Sequence, residues 1–192
     1  MNLNNRYLLY LSLFYFIVYE LNGVGMNFTL KSTSFENGKE IPKKYSCDGQ
    51  NVSPNLSWQN VPVGAKNLVL VVDDPDAQKV VGKTFVHWIV LNIDPEMNEI
   101  PEGIKFQSKI SNLAKEFQND FHQLKYGGVC PPQGEHTYCF TLFALDKNIE
   151  LTPEMTPDFF RDSYNQSSDF YKRFKSHILG FAQIMGKYKR QS

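Results

Sequence analysis

The residue types that could do chemistry are concentrated in three short segments. These are Val72-Asp73-Asp74-Pro75-Asp76-Ala77, Phe85-Val86-His87-Trp88 and Tyr126-Gly127-Gly128-Val129-Cys130-Pro131-Pro132-Gln133-Gly134-Glu135-His136-Thr137-Tyr138. They supply carboxylates, two imidazoles and a phenol. An imidazole on an apolar strand must satisfy both ring nitrogens, and a carboxylate is the partner that also fixes its tautomer and favours its charged form. Asp74, at the end of a neighbouring strand, is the expected partner of His87. His136 and Tyr138 stand two residues apart and so share one strand face. Pro131 and Pro132 stiffen the approach, while Gly127 and Gly128 let backbone N–H groups come close to a ligand. Imidazole, phenol and amide are all donors, which suits an anion such as a phosphate monoester or a carboxylate.

Taken singly, each of these features reads as structure: a core histidine bonded to a carbonyl, an Asp-Pro-Asp turn, a glycine-shaped loop. His122 and His177 receive no role. A second chemistry is a thiol hydrolase in which Cys130 is the nucleophile and His136 or His87 the base. No oxyanion hole or third orienting group can be named for it.

The elements that must position these residues follow from period and punctuation. Residues 27–34 read as a first strand and residues 42–62 as a turn-rich stretch. Residues 68–72 form a continuous apolar run, hence a buried strand ending at Asp73-Asp74-Pro75-Asp76. Residues 85–93 are another, with Phe85, His87, Ile89, Leu91 and Ile93 on one face and Val86, Trp88 and Val90 on the other. Residues 102–125 lack a clear period and read as a surface excursion with room for a short helix. Residues 137–145 are strand-like, with His136, Tyr138, Phe140, Leu142 and Ala144 on one face. In the tail, Phe170 or Tyr171, Phe174, Ile178, Ala182 and Met185 follow three-to-four spacing behind Ser167 and Ser168, which predicts a capped terminal helix. A shorter helix is expected from Pro157. Strands first and helices last give an α+β or mainly-β domain with the terminal helix on the sheet or its edge.

The chain has 192 residues, enough for one domain with a substantial core, and aromatic residues make up 14% of it. Acidic and basic residues balance at 20 each, so no overall field draws in nucleic acid or an anionic membrane. Residues 8–19 are apolar apart from Ser12 and too short for a stable membrane span. With Gly23 and Gly25 after them, residues 1–25 read as an export signal cut near Gly25, an uncleaved anchor, or an upstream extension of a protein starting at Met26. The domain then occupies residues 26–192. Its place is periplasmic or secreted if the signal is used and cytoplasmic if translation starts at Met26. Cys47, Cys130 and Cys139 contain no C-x-x-C pair and allow at most one internal bridge, which the sequence neither requires nor excludes. His and Cys do not recur at structural zinc spacings, so no metal or other cofactor is expected.

Five segments occur here in a recognisable order: Cys47-Asp48-Gly49 with Val52-Ser53-Pro54-Asn55-Leu56-Ser57-Trp58, then Asp74-Pro75-Asp76-Ala77, His87-Trp88, the run from Gly128 to Tyr138, and Met185-Gly186-Lys187-Tyr188. In these the chain resembles the phosphatidylethanolamine-binding proteins, and most of all their prokaryotic, Raf-kinase-inhibitor-like branch. The likeness covers residues 26–190. It implies a mainly-β fold of two packed antiparallel sheets with peripheral C-terminal helices, and a small pocket accepting phosphate, phosphorylethanolamine or acetate. The implied ligand-binding residues are Asp74, Pro75, His87, Gly128, Pro131, Pro132, His136 and Tyr138. The implied function is binding without catalysis, with a kinase or protease as a partner. Three positions depart from the pattern: Gln78 and Val129 where proline is common, and Thr137 where arginine is common. Loss of that arginine removes a permanent charge, so ligand affinity is expected to lean on histidine protonation unless Lys83 or Lys125 substitutes.

Overall fold

The longest apolar runs form the middle of a sheet in the structure, a computed structural model that describes residues 27–106 and 114–190. Strand β4 (Asn67–Asp74) is buried along its whole length, and β5 (Phe85–Ile93) and β8 (Glu135–Leu145) are nearly so. A strand covered on both faces needs apolar residues at consecutive positions, which is what these runs supply. With β2 (Lys39–Glu40), β7 (Lys115–Phe117) and β9 (Ile178–Lys189) they make a six-stranded sheet in the order β2-β9-β8-β4-β5-β7. The short β2 runs parallel to β9, and the remaining neighbours are antiparallel. A second sheet holds β1 (Thr29–Lys31), β3 (Leu56–Gln59) and β6 (Glu99–Ile100) in the order β1-β3-β6.

Alternation along the central strands divides the core in two. Leu68, Leu70 and Val72 of β4 join Leu30, Leu56, Trp58 and Ile100 of the small sheet in a layer between the sheets. Val69 and Val71 face the other way, onto Phe159 and Phe160 of helix α2 (Pro157–Phe160) and Phe170 and Phe174 of α3 (Asp169–Phe174). Each such side chain contributes about 1.5–3 kcal/mol by burial, so both layers are needed to hold helices this short in place. Ser168 caps α3, its Oγ accepting the Tyr171 amide at 3.1 Å.

The structure overturns the long terminal helix. Helix α3 stops at Phe174, and β9 then pairs with β8 along almost its full length. Ile178 and Ala182 are four apart, a spacing that suits one strand face as well as one helix face. The period therefore did not discriminate, while Gly180 and Gly186 oppose helix. Met185, assigned to the helix's buried stripe, is 37% exposed, whereas Ala182, Ile184 and Tyr188 are buried. The 102–125 segment is likewise more than a surface excursion: β7 extends the large sheet, and Phe106 and Ala114 are buried. No helix occurs among its described residues.

One irregularity matters for chemistry. Val72 pairs with Trp88 but Asp73 pairs with Val86, so β5 carries an extra residue, His87, at a bulge. The expected face-sharing of His87 with Ile89 and Leu91 is therefore wrong. Those two pack toward the helices, while the His87 ring stands edge-on to Tyr138 at 5.2 Å, a residue of the inter-sheet layer. The expectations for residues 1–25 lie outside the described residues.

Candidate functional site

Asp74 ends β4 and opens a tight 3-10 turn, Pro75–Ala77. Pro75 takes the first position, where its missing N–H leaves nothing unpaired, and Asp74 Oδ1 accepts the Ala77 amide at 3.0 Å. That bond fixes the carboxylate so that Oδ2 accepts from His136 Nδ1 at 2.7 Å. Both groups are buried. Asp74 thus holds His136 directly, not His87 as the sequence suggested.

His87 is held by carbonyls. Its Nδ1 lies 2.9 Å from Gly127 O and 3.1 Å from Gly128 O. Carbonyls only accept, so Nδ1 carries the proton and a neutral His87 ring leaves Nε2 as an acceptor. Burial moves its pKa below the ordinary histidine value, against the opposing pull of those carbonyls and of Asp74.

The two glycines act through packing and carbonyls. The Gly127 amide donates to His87 O at 2.9 Å and the Gly128 amide to Asn51 Oδ1 at 2.6 Å, so neither is free for a ligand. A Cβ on Gly128 would meet Asn51 Oδ1 at 2.5 Å and backbone atoms of Ser46 and Cys47 at 2.8 and 3.0 Å. Glycine is required there because two loops run in backbone contact. The Cys130 amide donates to Tyr138 Oη at 3.1 Å. Burial first, and the Asp74 charge second, push the Tyr138 phenol far up, so it stays neutral.

Cys130 is bonded to Cys47, with Cα atoms 5.4 Å apart. The thiol-hydrolase reading therefore fails, since a disulfide sulfur offers no thiolate to a substrate. Cys139 is the free cysteine, buried, its thiol pushed far up by burial and by Asp73.

A cleft of about 460 Å³ opens beside His136, bounded by Asp76, Lys79 and Val80 on one side and by residues 133–136 on the other. Lys79 belongs to helix α1 (Gln78–Val81), and its Nζ is 2.8 Å from Asp76 Oδ1. Asp76 Oδ2 accepts the Thr137 amide at 2.9 Å. Burial opposes ionisation of Asp76, but Lys79 and that amide outweigh it and hold its pKa low. The cation at the cleft is Lys79; Lys83 instead pairs with Asp120 at 2.9 Å. Of the eight residues expected to bind ligand, His136 alone borders this cleft; Asp74, His87, Gly128, Pro131 and Tyr138 are buried away from its lining, Pro75 is half-buried and Pro132 is exposed.

This ordered set of motifs, carried on a two-sheet fold, has counterparts. Residues 31–189 match the family model for phosphatidylethanolamine-binding protein. The chain belongs to the phosphatidylethanolamine-binding protein family. A UPF0098 protein from Methanothermobacter thermautotrophicus is 37% identical over 161 residues, covering 84% of this chain and 98% of that one. Another from Aquifex aeolicus is 40% identical, covering 83% and 86%. Among solved structures, a Chlamydia trachomatis homologue of the family is 32% identical with a TM-score of 0.70, covering 85% of this chain and 98% of its own. E. coli YbcL, described as a member of the mammalian family, is 26% identical with a TM-score of 0.71, covering 86% and 100%.

Two asparagines that organise the site were missed by sequence reasoning. Asn119, fully buried, donates through Nδ2 to His87 O and Lys125 O, while its Oδ1 accepts the Phe121 and Gln123 amides. Asn51 holds Gly128 with its own backbone at φ 55°, a left-handed conformation asparagine tolerates. Asn51 lies in a turn-rich stretch, but nothing in the sequence aims it at Gly128.

Proposed function

We propose that this protein binds a small anion, a phosphate monoester or carboxylate, in the cleft at His136 and releases it unchanged. The observation that carries the reading is the Asp74–His136 pair. With Nδ1 committed to Asp74, Nε2 is the ring atom left to a ligand. A protonated His136 donates Nε2–H to the anion while Asp74 balances its charge from behind. Lys79, at the same cleft, offers a second cation in place of the missing arginine. The neutral His87–Tyr138 layer behind it supports the geometry and adds no charge. With Cys130 tied in a disulfide, the thiolate that the hydrolase alternative needs is not available, which favours binding over turnover.

The test is a titration of the full chain with phosphorylethanolamine at pH 6, followed through the histidine side-chain NMR signals. Saturable shifts led by His136 support the reading, and none at millimolar ligand defeats it. Acetate affinity compared between about pH 5.5 and 8.5 tests whether the binding ring is an imidazolium: weaker binding at the higher pH supports that charge. An affinity independent of pH would remove histidine charge from the account. A protein partner, kinase or protease, belongs to the same proposal. A carboxypeptidase Y inhibitor in complex with its cognate proteinase is 16% identical with a TM-score of 0.51 and supports the fold alone.

A further inference from the structure

The loop that cradles His87 is fastened to the rest of the protein at one exposed covalent point. Residues 127–130 give two carbonyls to His87 Nδ1 and one amide to Tyr138 Oη. On their other side they meet the 46–51 loop. Cys47 N–H donates to Val129 O at 3.1 Å, Asn51 Oδ1 takes the Gly128 amide, and Ser46 and Val129 form an isolated bridge. The Cys47–Cys130 disulfide joins the same two loops directly beside these bonds. Cys47 is exposed and Cys130 half-buried, so a small reductant can reach the sulfurs without unfolding the sheets. Exposed disulfides are the ones that exchange readily, whereas purely structural ones are usually shielded.

We infer that the Cys47–Cys130 disulfide is a redox clasp on the anion site. Oxidised, it holds the 127–130 loop so that His87 keeps its Nδ1–H tautomer and Tyr138 its place; reduced, it lets the loop part from residues 46–51 and the site loosens. The inference rests on the anion-binding reading above. The reductant is a dithiol. Its thiolate attacks Cys47 Sγ, the Sγ–Sγ bond breaks and Cys130 leaves as a thiolate that takes up a proton. The second thiol of the reductant then displaces Cys47, giving two protein thiols and one oxidised reductant disulfide.

The experiment compares the full chain oxidised, reduced with dithiothreitol and reoxidised. Two readouts are taken at pH 6: affinity for phosphorylethanolamine, and solvent exchange of the His87 Nδ1 proton. The expected result is at least a tenfold loss of affinity and faster Nδ1–H exchange on reduction, both reversed by reoxidation, with the far- and near-ultraviolet circular dichroism retained. Asn51→Ala, which frees the Gly128 amide with the disulfide intact, is expected to shift both readouts in the same direction. Equal affinity and equal exchange in the two redox states would overturn the clasp. Loss of all tertiary signal on reduction would overturn it too, because the bond would then hold the fold rather than the site. Should the oxidised protein bind nothing, the anion reading fails by itself, and the Nδ1–H exchange still decides for or against the clasp.

Discussion

Asp73 and Asp74 are neighbours in β4 and face opposite surroundings. Asp74 accepts from Ala77 and His136, whereas Asp73 Oδ2 accepts the Asp162 amide at 3.1 Å and its Oδ1 is buried with no partner. Burial, with the charge of Asp162 next, raises the Asp73 pKa well above the ordinary carboxylate value. A carboxyl raised in the folded state gives stability that is complete below its unfolded pKa, about 3.9, and is lost as pH rises through the folded value. Asp73→Asn is therefore expected to stabilise by roughly 1–3 kcal/mol at pH 8, the scale of an unsatisfied buried polar group. The gain should close toward pH 4, and urea denaturation at the two pH values measures it. His87 has the opposite sign. Its lowered pKa gives stability that is complete above about 6.5 and is lost as pH falls toward the folded value. Its ring should hold the neutral Nδ1–H form to a lower pH than an unperturbed histidine, read by NMR; protonation at or above the ordinary value would contradict burial as the controlling effect.

At the scale of elements, the site is a meeting of two loops across the end of β5, and backbone proximity is what they share. Gly128→Ala drives a methyl into backbone atoms of Ser46 and Cys47, which cannot swing aside as a side chain would. A loss of about 2–3 kcal/mol is expected from chemical denaturation, toward the upper end for overpacking, together with weaker ligand binding. Gly134→Ala makes a useful contrast: its φ of 73° disfavours alanine, but a methyl there meets nothing within 4 Å. The buried strands were legible because continuous apolar runs bounded by turns have few alternatives, and β5 begins and ends where its run does. His136 and Tyr138 were placed on one face correctly by alternation. The partner of Asp74 was not legible, because a one-residue bulge at His87 changes which side chain faces which way without altering composition. β9 was misread because a four-residue interval serves both periods, and pairing with β8 decided between them.

For the whole molecule, the disulfide closes 83 residues of chain between the two loops. Chain-entropy arguments put its stabilisation at about 4–5 kcal/mol, with 2–4 kcal/mol typical of real proteins. Dithiothreitol is expected to lower the unfolding free energy by about that typical amount, shifting the urea midpoint while leaving a folded population in water. The sheet order adds a constraint of another kind. β9, the last strand, lies between β8 and β2, so the large sheet has an open side until residues 178–189 exist. The same strand delivers Tyr188, whose Oη lies 2.9 Å from Ser46 Oγ and donates to Asp48 Oδ2, on either side of Cys47. During synthesis on a ribosome, residue 189 must clear the exit tunnel before β8, already beside β4, gains its second neighbour and before Tyr188 reaches the Cys47 loop. Until then the eleven-residue β8, paired with β4 on one side, keeps its other edge open. A chain lacking residues 178–189 would hold every site motif but the last and no finished sheet to display them.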